Sequence, residues 1–166
     1  MIGRLLVFAL LVAIAAIHIV GERRGTNKLV TLAGNLFALY ALAWIFFMVY
    51  LWVNHVNFPL NLEAMELTVV QHVRRIMTGQ QLYVEPSPDF VPLAYVPLYY
   101  YFSVPFAWLF GANLFTMRLV AILGMLGMGI VIFLAVKKHT ATIWWAVMAT
   151  GLFAAAYRAM DTYLDN

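Results

Sequence analysis

The chain has 166 residues, of which 65% are hydrophobic and 10% are charged, and its formal net charge is +3. A soluble domain has about 45–50% apolar and about 25% charged residues, so this composition excludes an ordinary soluble fold and indicates a membrane-integral protein. The small positive charge is typical of membrane topology signals rather than of nucleic-acid binding. The chain has no cysteine, which excludes disulfides, thiolate metal sites and cysteine nucleophiles.

Four segments are apolar and long enough to cross a bilayer, which requires about 20 residues. The first begins like a signal peptide, but its apolar run is long for one and a second span follows almost at once. We therefore expect this first segment to be retained. The sequence predicts an all-α membrane protein with about four transmembrane helices, at Ile2–Val20, Leu29–Val53, Leu114–Val136 and Ile143–Met160.

Val91–Phe110 is a fifth apolar stretch, but its three prolines and its tyrosines are more typical of a membrane interface than of a span. If it does not span, the cations at 23–28 and 137–138 lie on one face of the membrane. If it spans, this charge bias disappears. The positive-inside rule therefore favours a helix that lies in or dips into the interface, with Glu22–Lys28 and Lys137–Thr142 in the cytoplasm.

The long loop between the second and third spans, residues 54–113, then lies outside the cytoplasm together with Asp161–Asn166. Apolar residues recur at helical spacing over Leu62–Thr78, which predicts an amphipathic helix within this loop. Asn61 is the expected N-cap of that helix, and Gly79 is its expected C-terminal stop.

Glu63 and Glu66 lie three residues apart in the first turn of this predicted helix. Their simpler interpretation is a favourable interaction with the helix dipole. The alternative is a general base at the membrane boundary, where a carboxylate can take the proton of an acceptor hydroxyl. Spacing alone favours the simpler interpretation.

Arg74 and Arg75 follow His72 on the same helix, and the guanidinium fork suits phosphate binding. Anchoring to anionic lipid headgroups is the simpler interpretation of either arginine. The aromatic cluster that includes Tyr95 and Tyr99 fits either an interfacial belt or the wall of a lipid or sugar site.

The four histidines are scattered along the chain, so the sequence gives little support for a metal site. Gly124, Gly127 and Gly129 indicate close helix packing rather than ligand binding.

Five sequence elements follow one another through the loop. They are an acidic segment at 61–66, a helix end at 75–79, Gly-Gln-x-Leu-Tyr at 79–83, a proline-rich element at 86–92 and a tyrosine-rich element at 95–101, and Gly111 and Arg118 come after them. In this order they resemble the first extracytoplasmic loop of bacterial GT-C membrane glycosyltransferases related to protein mannosyltransferases. The resemblance covers residues 29–166, and residues 1–28 are expected to form an extra N-terminal transmembrane helix and a cytoplasmic loop.

The resemblance implies a loop with two interfacial helices, and an inverting enzyme that moves a sugar from a polyprenyl-phosphate donor to an extracytoplasmic lipid, glycan or protein. Glu63 or Glu66 would deprotonate the acceptor, and Asp165, within a partial aromatic-aromatic-Asp element, would join the acidic side of the site. The implied ligands of the lipid phosphate are Arg74, Arg75 and Arg118, and the implied lining residues of the cavity are Tyr95 and Tyr99.

Two departures from the family pattern affect this expectation. The family usually carries an aspartate in the acidic segment, where this chain has Asn61, so the choice of base stays open. Family enzymes are also much longer, so the chain is expected to be their N-terminal portion and to be inactive alone. The expected location is the bacterial plasma (inner) membrane, no cofactor is established, and a divalent metal has no support from the sequence. The alternative function is a non-enzymatic membrane scaffold or carrier whose loop binds a partner.

Overall fold

The computed structural model describes residues 12–14, 16–17, 19–20, 27–62, 65–94 and 96–161, with the backbone alone at 27, 29 and 157–161. The described part of the chain is helical and contains no named strand, which confirms the all-α class. Described residues between 12 and 20 are helical. The further helices are α1 (Asn27–His55), α2 (Glu66–Met77), α3 (Leu98–Phe110), α4 (Leu114–Thr140) and α5 (Ile143–Asp161).

Two of these helices, α1 and α4, are long and apolar enough to cross a membrane. Their apolar parts have 26 and 27 residues. At about 1.5 Å per residue each exceeds the roughly 30 Å of a hydrocarbon core. Helix α5 is apolar over Ile143–Ala156, a shorter stretch. The predicted first span, Ile2–Val20, lies largely outside the described residues.

The predicted helix over Val91–Phe110 is shorter than expected. Helix α3 has 13 residues and begins only at Leu98, because Pro92 and Pro97 disfavour helical geometry in the residues that precede them. At about 1.5 Å per residue it reaches roughly 20 Å, which is too short to cross a bilayer.

The chain divides into two compact units, one formed by residues 1–49 with 129–162 and the other by 50–128 with 163–166. In the first unit, α1 and α5 approach closely where Gly151 faces Ala41. A Cβ on that glycine would lie 2.5 Å from the Ala41 Cα and 2.6 Å from its carbonyl oxygen. Such small residues let membrane helices pack with their backbones in contact. By contrast, a Cβ added to Gly124 or Gly127 would have nothing within 4 Å.

The second unit contains the whole of the loop predicted at 54–113. Helix α2 packs its apolar stripe against the inner face of α3, and the start of α4 completes the core. Because the buried positions recur every three or four residues on both helices, each presents one continuous face to the other. The buried cluster is Val70, Val73, Leu82, Tyr100, Val104, Ala107 and Met117.

Of the two predicted ends of α2, the start is wrong and the C-terminal end is confirmed. The prediction of Asn61 as N-cap is wrong, because the helix begins at Glu66 and its N-cap position is Met65, whose side chain makes no capping bond. The C-terminal stop at Gly79 is confirmed. Gly79 has φ +70°, its N–H donates to Ile76 O at 3.0 Å, and Gln80 N–H donates to Arg75 O at 2.8 Å. This is a Schellman motif, which requires the left-handed conformation that glycine adopts without strain.

The connection from α3 to α4 is short and well bonded. Gly111 has φ +83° where α3 ends, and Asn113 caps α4 by accepting the Thr116 N–H through Oδ1 at 3.0 Å. The buried Thr116 hydroxyl donates to Gly111 O at 2.7 Å. These bonds satisfy backbone N–H and C=O groups that a helix end otherwise leaves unpaired. The direction in which the chain passes from α3 into α4 is therefore fixed.

Candidate functional site

Glu66 and Arg118 form an ion pair in the second unit. Arg118 Nε donates to Glu66 Oε1 at 2.9 Å and Nη2 donates to Oε2 at 2.7 Å. The Glu66 side chain is 18% exposed and the Arg118 side chain is 10% exposed. This is the bidentate arrangement in which a guanidinium binds a carboxylate most strongly.

The remaining N–H groups of Arg118 bind the connection between α1 and α2. Nη1 donates to His55 O at 3.0 Å and to Phe58 O at 2.6 Å, and Nη2 donates to Leu60 O at 2.8 Å. A guanidinium has five N–H donors, and all five are used here within the protein. A lipid phosphate at Arg118 would therefore have to displace bonds that hold the connection in place.

Glu66 is equally committed. Besides Arg118, its Oε2 accepts the Leu62 N–H at 2.8 Å, so the carboxylate closes the short segment that precedes α2. A carboxylate bound to N–H donors in this way is stabilised in its ionised form. The geometry therefore gives Glu66 a structural task, whatever further role it has.

His72 is completely buried and links α2 to the segment before α3. Its Nε2 accepts the Leu93 N–H at 2.9 Å, and its Nδ1 lies 2.7 Å from Thr68 O. A backbone amide can only donate and a carbonyl can only accept, so the ring carries its proton on Nδ1. The imidazole also lies 4.8 Å, between ring centroids, from both Phe90 and Tyr100. Both nitrogens are satisfied, which makes His72 a core residue.

Arg74 and Arg75 leave α2 in different directions. Arg74 donates through Nε and Nη2 to Ala112 O at 3.2 and 2.9 Å, which ties α2 to the connection between α3 and α4. Arg75 donates through Nε to Gln81 O at 2.9 Å, and its guanidinium carbon lies 4.2 Å from the centroid of the Phe90 ring. A cation over an aromatic face is held in one orientation at little entropic cost. Arg75 is thus the more oriented of the two.

Tyr99 points into the unit, where its hydroxyl donates to Met117 O at 2.7 Å. Burial raises the pKa of this phenol to about 12, and the negative charge of Glu66 adds to the effect. The neighbouring Tyr100 is buried in the same core, whereas Tyr101 is 57% exposed. The aromatic cluster therefore divides into inward and outward members, a division that composition alone did not reveal.

Three further residues predicted for the site, Glu63, Tyr95 and Asp165, lie outside the described part of the chain. Among the described residues, no three or more metal-binding side chains lie close enough to hold an ion together. An apolar cavity of about 350 Å³ in the first unit is lined in part by Phe37, Trp145 and Met148, and none of its lining residues in the described part of the chain is ionisable.

The sequence reasoning missed the partners of Arg118 and the buried position of His72. A signal for the first was present: Arg118 is the one charged residue between Leu114 and Val136, and a charge within an apolar segment needs an internal partner. The interaction between His72 and Leu93 had no comparable signal, because any exposed helix face can also carry a histidine.

Comparison of the chain with protein-family models, curated proteins and solved structures found no match. The likeness to GT-C glycosyltransferases therefore rests on the sequence elements of the loop, and the activity it implies is a proposal.

Proposed function

We propose that the chain is part of an integral-membrane glycosyltransferase that uses a polyprenyl-phosphate sugar donor and an extracytoplasmic acceptor. One observation carries the proposal: elements on which the family resemblance rests are tied to one another within a single compact unit. Glu66 of the acidic segment binds Arg118 of the next span, 52 residues away. Arg75, at the end of α2, binds Gln81 of the Gly-Gln-x-Leu-Tyr element. Outside these elements, the Leu93 N–H donates to His72 Nε2, which links α2 to the residue that follows the proline-rich element.

These contacts support the proposal because they hold the acidic segment, Arg118 and the Gly-Gln-x-Leu-Tyr element in one compact unit, as a shared site requires. We further propose four spans. The segments at 2–20 and 143–160 would cross the membrane in addition to α1 and α4. The loop at 54–113 then faces the outside of a bacterial plasma membrane. The charge bias at 23–28 and 137–138 is the support for this orientation.

In the proposed reaction, a loop carboxylate accepts the proton of the acceptor hydroxyl. The acceptor oxygen bonds to the anomeric carbon of the sugar, the bond from that carbon to the phosphate oxygen breaks, and polyprenyl phosphate leaves with the electron pair. Because Glu66 is committed to Arg118 and Leu62, we assign the base to Glu63. Asp165 would support the same acidic side.

The phosphate of the donor needs a cation that is oriented and still has free donors. Arg75 meets this need best, because only its Nε is bonded among the contacts described above and the Phe90 ring holds its plane. Arg74 is the second candidate. Tyr99 would act by shaping the unit, since its hydroxyl is bonded to Met117 O.

The proposal is tested by sugar transfer in membranes that contain the gene product carrying this sequence. Glu63→Gln should lower the transfer rate by a factor of about 100 or more, the usual loss when a general base is removed. Glu66→Gln should lower the amount of folded protein and leave the rate per folded molecule within about tenfold. Full activity of Glu63→Gln would contradict the assignment of the base.

A non-enzymatic scaffold or carrier is the second candidate, favoured by the full commitment of Arg118 and Glu66 to bonds within the protein. The two functions give different outcomes in one comparison. If no polyprenyl-linked donor supports transfer and crosslinking instead joins residues 54–113 to one protein partner, the scaffold is the better account.

A further inference from the structure

The apolar cavity of the first unit lies where three helices have an end. Its described lining residues come from the first three turns of α1 and α5, from the last turn of α4 and from helical residues that precede α1. Ala33 and Met148 form its buried floor, since they are 7% and 6% exposed. Ile19, Trp145 and Leu152 form its rim and are 39–53% exposed. Because these rim residues are exposed, the cavity is open to the surroundings of the unit.

The lining of the cavity is almost wholly apolar. Among the described lining residues Thr140 carries the one hydroxyl, and this group donates to Val136 O at 2.8 Å. Apolar cavities stay free of water and accept apolar guests. A cavity of about 150 Å³ holds one benzene molecule, so the roughly 350 Å³ found here suits an apolar group of roughly 14 carbon atoms.

The cavity is also elongated. On α5 its lining runs from Trp145 to Leu152, which at about 1.5 Å per residue is a length of about 10 Å. A flexible alkyl chain fills a long, narrow space of this kind better than a compact ring does. No protein side chain has an alkyl chain of the required length, so the lining and its dimensions indicate the chain of a lipid.

Positive charge lies at the same ends of these helices. Lys137 and Lys138 are in the last turn of α4, three and two positions before the lining residue Thr140, and Lys28 is in the first turn of α1. All three lysines are exposed. Neither the first three turns of α1 nor the sequence from the last turn of α4 to the third turn of α5 contains Asp or Glu. An anionic headgroup therefore meets lysines there without competition from a carboxylate of these segments.

We propose that the cavity binds one acyl chain of an anionic phospholipid, whose phosphate lies against Lys137 and Lys138. The alkyl chain matches the cavity, and the negative charge matches the lysines. A bilayer supplies such a lipid around α1 and α4, the two described helices long enough to cross it. All residues of this site belong to the first unit, whereas Arg74 and Arg75 belong to the second, so the inference is independent of the proposed sugar transfer.

Native mass spectrometry of the full chain in dodecyl maltoside measures how tightly a lipid stays bound. The chain is titrated with palmitoyl-oleoyl phosphatidylglycerol. Phosphatidylcholine with the same acyl chains tests the headgroup charge, because it is zwitterionic. Dihexanoyl phosphatidylglycerol tests the acyl chain, because it keeps the headgroup and has chains too short to fill the cavity.

Four variants accompany these lipids. Ala149→Leu and Ala33→Leu each fill the cavity, one from α5 and the other from α1. Ala43→Leu is the matched control, because it adds the same side chain at an exposed position of α1 outside the lining. Lys137→Gln combined with Lys138→Gln removes the charge. Circular dichroism checks that each variant keeps its helix content.

Wild-type phosphatidylglycerol binding should be about tenfold tighter than binding of either comparison lipid. Each folded cavity variant should weaken it about tenfold, since leucine takes the room of three carbon atoms of the lipid chain. Ala43→Leu should leave it unchanged, and the double lysine variant should bind phosphatidylglycerol and phosphatidylcholine equally. Wild-type binding of either comparison lipid as tight as that of phosphatidylglycerol would overturn the proposal, as would undiminished binding by a folded cavity variant.

Discussion

Glu66 and Arg118 are joined by two N–H···O bonds, at 2.9 and 2.7 Å, across 52 residues of sequence. The same guanidinium holds three carbonyls of the preceding connection, at His55, Phe58 and Leu60. Arg118 thus ties the end of α1, the start of α2 and the start of α4 together.

Removing one member of this pair should destabilise the second unit. Arg118→Gln and Glu66→Gln each leave a largely buried charge without its partner, which costs about 3 kcal/mol or more. Thermal unfolding in detergent micelles, followed by circular dichroism, measures the effect. The double variant should lose clearly less than the sum of the two single losses.

Arg74→Gln is the matched control, because Arg74 is exposed and bonds one carbonyl. It should cost about 1 kcal/mol or less. Equal losses at Arg74 and Arg118 would contradict a special role for the Glu66–Arg118 pair.

His72→Phe tests the bond to the segment before α3. The phenyl ring can keep the packing against Phe90 and Tyr100, but Leu93 N–H loses its acceptor, at a cost of about 1–3 kcal/mol. Amide hydrogen exchange should show the Leu93 N–H protected in the wild type and faster in the variant. His139→Phe, at an exposed position at the end of α4, should leave this amide unchanged. Unaltered protection of Leu93 in His72→Phe would refute the assigned hydrogen bond.

Tyr99 should titrate later than an ordinary tyrosine. Its pKa is raised from 10.0 to about 12, so the folded state keeps this proton at a pH where the unfolded chain loses it. The resulting stability is fully present below pH 10 and is lost as the pH rises from 10 towards 12. Ultraviolet absorbance of tyrosinate should show a late-titrating group that Tyr99→Phe removes. Tyr101→Phe should leave this group in place, and a late group that survives unchanged in Tyr99→Phe would contradict the assignment.

Gly151→Ala should disrupt the packing of α1 on α5, because the added methyl would collide with the backbone of Ala41. Overpacking of this kind costs about 1–3 kcal/mol, visible as a lower midpoint of thermal unfolding in micelles. Gly124→Ala adds the same methyl in a helix interior where nothing lies within 4 Å. It should be neutral or mildly stabilising, since alanine is the better helix former. A Gly151→Ala variant as stable as Gly124→Ala would rule out the close approach.

The sequence allowed some of these features to be predicted and not others, for physical reasons. The all-α class and the stop of α2 at Gly79 follow from local composition and from the conformational freedom of one glycine. The start of α2 was placed too early because Asn61 is a favourable N-cap residue, yet Leu62 N–H bonds to Glu66 and that bond belongs to a non-helical segment. The preference of a residue type for the N-cap position takes no account of such bonds.

The candidate site was predictable in its residues but not in their partners. The arginines were identified from residue type, whereas their different uses depend on contacts between residues 6, 38 and 52 positions apart. No local pattern in the sequence records which guanidinium will meet a carboxylate and which will stack on Phe90. The close contact at Gly151 was missed for the same reason, because its partner Ala41 lies on a distant helix.

The most direct test of the proposed function is photolabelling of the chain in membranes with a photoreactive polyprenyl phosphate. The account predicts labelling of peptides within residues 54–113 that unlabelled polyprenyl phosphate competes away and phosphatidylglycerol does not. Arg75→Gln should weaken this labelling about tenfold, equivalent to about 1.4 kcal/mol of binding free energy, and Lys138→Gln should leave it unchanged. Equal competition by phosphatidylglycerol, or labelling confined to residues outside 54–113, would contradict the account.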